Sequence, residues 1–336
     1  MTDKPPSDTP SVVARTRAVA AGAPVVAAHF LGRTAVLVLG EEELLLVAAD
    51  GEERRLAIHG GGILAAAGDG ERIVTGGDDG KVISTNPKGE SRTLATDAKR
   101  RWIDRVAAGP DGAVAWSAGK TAFVQAGKGE ARSLDVPSTV AGLAFAPKGL
   151  RLAIAHYNGV TLWFPNVQSA PEMLEWKGSH HDVAFSPDGK FLVTAMQEPM
   201  LHGWRVADGK HMRMSGYSAR VRSFAWTAGG KWLATGGSEQ LVVWPFQSKD
   251  GPMGKTPKMF AAFAVRVSVV ACHPKQEVAA VGYEDGTILM VRLDDGAEVL
   301  AKNPGKAPIT ALAWDSVGSL LAFGTEAGEA GVVDLG

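Results

Sequence analysis

Val183-Ala184-Phe185-Ser186-Pro187-Asp188-Gly189 is the stretch that decides the fold, because the chain restates its pattern eight times. An apolar residue precedes a small one, and a glycine turn closes the unit five positions after the small slot. The slot is Ala27, Ala65, Ala107, Ala144, Ala184, Ala225, Ala271 and Ala313. Before it stand Val26, Leu64, Val106, Leu143, Val183, Phe224, Val270 and Leu312. Five residues after it stand Gly32, Gly70, Gly112, Gly149, Gly189, Gly230 and Gly318, with Gln276 the exception. Successive slots lie 38, 42, 37, 40, 41, 46 and 42 residues apart. Self-similarity near ~40 residues marks a solenoid or propeller array.

Within each repeat, four short β-rich runs are punctuated by Gly, Asp and Pro. The fifth repeat reads as strands at 182–186, 190–195, 201–206 and 211–215, with turns at Pro187-Asp188-Gly189 and Asp208-Gly209. No helical period survives over ten residues. Four antiparallel strands per repeat describe a propeller blade, so the fold class is all-β, a closed propeller of eight four-stranded blades. Seven is the alternative, in which case the first or third repeat fails to form a blade. After Ala313 only three strands fit (309–314, 319–323 and 331–335), while one extra run stands at 12–19. The N-terminal run is therefore expected to complete the last blade, which removes an exposed edge. Residues 1–10 are expected to be a disordered tail, and 11–336 a single propeller.

These residues resemble the WD-repeat β-propeller family over nearly everything after residue 11. VAFSPDG at 183–189 matches the family's inner strand and turn, and GYEDGTILMVR at 282–292 and GGDDGKVI at 76–83 match its second turn and third strand. Trp163, Trp204 and Trp244 fall 19, 20 and 19 residues after their alanines, where the family's naming tryptophan stands. Phe164, Arg205 and Pro245 follow them in place of Asp, and most repeats lack the family's Gly-His pair. The family's buried Asp-His-Ser-Trp staple is therefore expected to be missing from nearly every blade. The resemblance implies a non-enzymatic interaction scaffold or adaptor.

Lys plus Arg is 35 against 36 Asp plus Glu, a formal charge of -1, which argues against a dedicated nucleic-acid binder. Cys272 is the only cysteine, so no disulfide framework is expected. No run approaches the ~18 apolar residues of a membrane span, and the expectation is a soluble, cytoplasmic protein with no membrane partner. Gln247 to Lys258 lengthens the sixth repeat as a polar excursion.

No catalytic constellation stands out, and no cofactor is expected. Gly60-Gly61-Gly62 and Gly76-Gly77 have no helix behind them to cradle a phosphate. The pairs His180-His181 and Cys272-His273 offer at most one ligand each to a metal, since neighbours on a strand face opposite ways. The positions five and three before each slot share one face, which in the family forms the top rim. There Trp102, Asp104, His181, Arg220, Arg222 and Arg266 stand, joined by Arg100 and Lys306 seven before their slots. This cationic arc with one aromatic anchor is the expected docking surface for an acidic segment of a protein partner. Two other classes stay open. One is a propeller enzyme or metal or small-ligand binder using the central channel. The other is a nucleic-acid-associated propeller.

Overall fold

The computed structural model describes residues 9–336. The expected tail at 1–10 therefore lies outside the described residues, apart from Thr9 and Pro10. Among the described residues all regular structure is strand, except for single 3-10 turns at Val13–Arg15 and Pro110–Gly112. Among the described residues no helix is long and apolar enough to cross a membrane.

The chain divides into two compact units, one of Met1–Leu56 with Gly216–Gly336 and one of Ala57–Ser215. The first unit holds four antiparallel four-stranded sheets. Repeat one forms Val25–Leu31, Thr34–Leu39, Glu43–Val47 and Glu53–Ala57. Repeat six forms Phe224–Trp226, Trp232–Thr235, Leu241–Pro245 and Lys258–Phe260, and repeat seven forms Val267–Cys272, Val278–Tyr283, Ile288–Arg292 and Glu298–Lys302. Repeat eight supplies Ile309–Trp314, Leu320–Thr325 and Glu329–Asp334, and Thr16–Ala20 pairs onto the last of these.

The second unit has a sheet for repeat two (Ile63–Gly68 to Ser91–Thr96) and one for repeat three (Arg105–Ala108 to Arg132–Asp135). A third sheet has six strands and carries repeats four and five together. Eight repeats thus form seven hydrogen-bonded sheets, the alternative count. The first and third repeats, the ones expected to fail if the count were seven, each make their own four-stranded sheet. The fusion lies where Leu152–Trp163 turns at Asn158-Gly159 without leaving the ladder, and where Glu172–Phe185 runs from one repeat into the next. Tyr157 pairs with Ser179, and the Gly178 N–H donates to Asn158 Oδ1 at 3.2 Å, so the backbone stays bonded across the junction.

Burial explains the strand patterns. The outer strand His211–Ser215 alternates exposed and buried residues, as a half-solvated strand must. The second strand Leu320–Thr325 is buried at every residue, because both of its faces are covered. Val25, Leu37, Leu45, Ala322 and Val332 share one core in the first unit, and Val140, Leu152, Ile154 and Trp163 share one in the second.

All seven turn glycines that follow the slots have positive φ, from 61° at Gly32 to 87° at Gly70, where a side chain would be strained. At the exception, His273 does the work, its Nδ1 accepting the N–H groups of Lys275 and Gln276 at 3.0 Å each.

The ladder corrects the slot register in two repeats. At or just before the start of each repeat's inner run stands a buried residue: Val25, Ile63, Ile103, Val140, His180, Val221, Val267 or Ile309, none more than 4% exposed. In repeats one, two, five, seven and eight a β-bulge follows it directly. Counted from this anchor, the slot of repeats one and two is His29 and Ala67, two residues beyond Ala27 and Ala65. A two-residue slip leaves every side chain on its original face, so the strand assignment is unaffected.

The polar staple persists in altered form. His59 bonds Asp79 Oδ1 through Nδ1 at 3.0 Å and Thr75 through Nε2 at 2.9 Å. In repeat six, Tyr217 replaces the histidine. Its hydroxyl accepts from Trp244 Nε1 at 2.6 Å and bonds Thr235 at 2.9 Å, and Thr235 donates to the Val242 carbonyl. Tyr217→Phe leaves the buried indole N–H without its acceptor. It should cost about 1–3 kcal/mol in urea denaturation.

Closure by the N-terminus also holds, with a shorter strand than the expected 12–19, because Val13–Arg15 forms a 3-10 turn. Thr16 pairs with Val333 and Ala20 with Glu329. Arg17 donates to the Ala49 carbonyl at 2.9 Å, and Arg55 to those of Ala20 and Ala21 at 3.0 and 2.7 Å. Ahead of the turn, Leu300 donates to the Pro10 carbonyl and accepts from Val12 N–H. Deleting residues 1–20 bares the edge of Glu329–Asp334. A loss of several kcal/mol out of the roughly 5–15 that hold a domain is expected in thermal melts.

Candidate docking cavity

The anchor and the residue after it determine where the upward positions point. With the anchor buried, the residues on either side of it turn out of the sheet at the strand's start. In the first unit these flanking pairs are Pro24 and Val26, Arg220 and Arg222, Arg266 and Ser268, and Pro308 and Thr310. All eight line a single cavity of about 660 Å³, together with Glu284 and Glu326.

Two of the pairs are structural. Ser268 Oγ donates to the carbonyls of Ile309 at 2.6 Å and Gly282 at 3.0 Å, and Thr310 Oγ1 bonds the carbonyls of Val25 and Gly324. These hydroxyls tie each first strand to its neighbour. The cations differ from one another. Arg266 pairs with Glu284 at 3.2 Å, with both groups near half exposed, a contact worth about 0–1 kcal/mol. Arg220 is half-buried. Arg222 is exposed, and among the described residues its guanidinium makes no ion pair or hydrogen bond. Glu239, a candidate counter-charge, instead accepts from Ser218 Oγ at 3.0 Å.

Of the expected rim residues, the structure thus brings Arg220, Arg222 and Arg266 to one cavity. Lys306 is exposed on the loop before Ile309–Trp314 and does not line it. Trp102, Arg100, Asp104 and His181 belong to the second unit. Asp104 is engaged locally, accepting from Ser117 Oγ at 3.3 Å and lying 3.9 Å from Arg105. His181 is half-buried at a bulge position. Sequence reasoning missed Glu326, although its signal was present. GYEDG at 282–286 and GTEAG at 324–328 put Glu284 and Glu326 at the same place in successive second turns.

His180 and His273, from the two pairs weighed as metal ligands, are occupied by the fold. His180 bonds Thr194 through Nδ1 at 2.7 Å and the Trp176 carbonyl through Nε2 at 2.9 Å. His273 Nε2 bonds the Gly318 carbonyl at 3.1 Å. The Cys272 thiol points at the Ala225 carbonyl, and burial pushes its pKa up to about 12. Among the described residues no three His, Cys, Asp or Glu side chains converge as a metal site would require.

His202 is the sensitive one. It is fully buried, stacked 4.0 Å from Trp176, and neither ring nitrogen has a hydrogen-bond partner among the described residues. Burial, with His180, His211 and Arg213 nearby, lowers its pKa to about 3. The unfolded chain binds this proton near 6.5, so the stabilisation is complete above that pH and is lost as pH falls toward 3. Between pH 6.5 and 4.5 this group alone should cost about 2 kcal/mol. His202→Phe should flatten the pH dependence of urea denaturation over that window.

Repeated four-strand antiparallel units, closed at the chain ends by one strand from each terminus, define a β-propeller, seven-bladed when each connected sheet is counted once. The crystal structure of the computationally designed Ika8 protein matches it with a TM-score of 0.73 over 93% of this chain and 96% of that one, at 17% identity, a likeness of fold alone. A family model described as the WD domain, G-beta repeat, matches residues 210–244, and that of the anaphase-promoting complex subunit 4 WD40 domain matches residues 269–336. WD repeat-containing protein 1-B of Xenopus laevis is 34% identical over 77 residues, which is 22% of this chain and only 13% of that protein's length. The chain is thus similar to WD40-repeat proteins over residues 210–244 and 269–336, and WD40 propellers are typically protein-interaction scaffolds.

Proposed function

We propose that this propeller is a cytoplasmic, non-enzymatic scaffold or adaptor that seats an acidic segment of a partner protein in the cavity at Arg222. Arg222 carries the proposal. It is an exposed guanidinium on a formed cavity and makes no ion pair among the described residues, while Arg266 beside it is neutralised by Glu284. A partner carboxylate would meet Arg222 with two parallel N–H donors and displace only water. Arg220 adds a second positive charge, and the apolar wall of Pro24, Val26 and Pro308 gives an aliphatic side chain something to pack against. The cytoplasmic assignment is supported by there being a single cysteine, Cys272, with no disulfide framework.

The test is titration of a fluorescein-labelled dodecapeptide of alternating Asp and Gly. Arg222→Ala should weaken binding about tenfold or more, and binding should fall with added salt. Lys306→Ala, which removes a solvated charge outside the cavity, should change it less than about twofold. Equal losses for the two variants would place the attraction in overall charge and remove the cavity from the account.

A further inference from the structure

The second unit carries a surface of its own, built on the turn Asp97-Ala98-Lys99-Arg100-Arg101-Trp102. Trp102 is 65% exposed, the most exposed of the large apolar side chains among the described residues, while the next residue, Ile103, is completely buried. The indole is therefore held out in water by an anchor locked into the core.

The turn is also rigid. Asp97 Oδ2 accepts the N–H groups of Lys99 at 3.0 Å and Arg101 at 2.9 Å, and its other oxygen takes Arg101 Nη2 at 2.7 Å. Arg101 Nη1 reaches the Ala118 carbonyl at 3.1 Å. The turn is clamped at both ends, by Asp97 N–H to the Gly80 carbonyl and Ile103 N–H to the Gly77 carbonyl. Beneath it Gly80, at φ +75°, has no room for a side chain, since a Cβ there would lie 3.1 Å from Arg100 Cα.

Arg101 and Asp97 are thus spent on each other. Lys99 and Arg100 are exposed, and among the described residues their side chains make no ion pair. Arg100 has φ 52°, the left-handed region where glycine is at ease and a branched side chain is not. The chain therefore bears a conformational cost to present a guanidinium beside an exposed indole on a pre-formed turn. Aromatic and arginine side chains that need no ordering on contact are the composition of a binding hot spot.

We propose that this turn is a docking surface for a protein segment alternating acidic and aliphatic residues. An aliphatic side chain covers the Trp102 ring, and a carboxylate bridges Arg100 and Lys99. The charge count favours protein over the other anionic partners. A single-stranded nucleic acid needs a groove with successive stacking rings, whereas one ring and two free cations stand here on a chain of net charge -1. An anionic membrane is held by clusters of roughly four to eight basic residues. The surface does not depend on the Arg222 cavity.

The experiment uses the full chain and a fluorescein-labelled dodecapeptide of repeated Glu-Leu-Glu-Gly. Trp102→Ala should weaken binding about thirtyfold and Arg100→Gly about tenfold, with the melting temperature of Arg100→Gly unchanged or raised because glycine relieves the left-handed strain. Arg222→Ala should leave this binding within about twofold, which separates the turn from the cavity. Unchanged affinity in Trp102→Ala, or a loss confined to Arg222→Ala, overturns the proposal. So does binding of a dodecameric oligo(dT) or of phosphatidylserine vesicles, lost in Trp102→Ala, without binding of the peptide.

Discussion

The buried residue at or just before the start of each inner run is the constraint on which the rest of the structure depends. Val221 is completely buried, which turns Arg220 and Arg222 outward to either side of it. Ile103 does the same for Trp102 and Asp104. Burying one side chain at the edge of a ladder fixes where its neighbours point more firmly than any contact they make themselves. It also explains why polar residues can crowd the start of a strand whose other end is apolar. In five repeats a bulge follows directly and adds one residue on that side of the ladder.

Much of this was legible before any coordinates. Glycine turns after the slots announced left-handed backbone, and apolar runs of four to seven residues announced strands. Three strands after Ala313 with one left over near the start announced the closure. The bulge left no mark, because an inserted residue changes neither composition nor the two-residue period on either side of it. The slot in repeats one and two was placed at Ala27 and Ala65 instead of His29 and Ala67 because their turn glycines, Gly32 and Gly70, follow the slot by three residues and a spacing of five was applied. The shared sheet of repeats four and five was equally hidden. It depends on the backbone path around Gly159 and Gly178, at φ +141° and +119°, which the sequence does not distinguish from the glycines of ordinary turns.

The candidate site was legible in part. Spacing alone collected Arg220, Arg222 and Arg266, and these do share a cavity. Spacing could not say that Arg266 is answered by Glu284 while Arg222 is not, since ion pairing is decided by side-chain reach across neighbouring turns. Nor could it tell that Asp104 is consumed by Ser117 and Arg105. The tryptophan-aspartate signature was a poor guide for a related reason. The staple's work is hydrogen bonding, and Tyr217 with Thr235 can satisfy the Trp244 indole as well as a histidine would.

The order in which the chain leaves the ribosome gives the discontinuous unit a particular history. Residues 57–215 are contiguous and can pack as soon as they are made. The unit that contains Thr16 must wait, because the partner of Thr16 is Val333, three residues from the last. Until residues 309–334 have been made, the sheet built from residues 25–57 has no neighbour from the eighth repeat, and the first strand has nothing to pair with. Closing the loop from Thr16 to Val333 is the last step of this unit, and so long a loop closes more slowly than the contacts within residues 57–215. A nascent chain stalled before residue 329 would present an unpaired strand and an open apolar face, the kind of surface that chaperones hold.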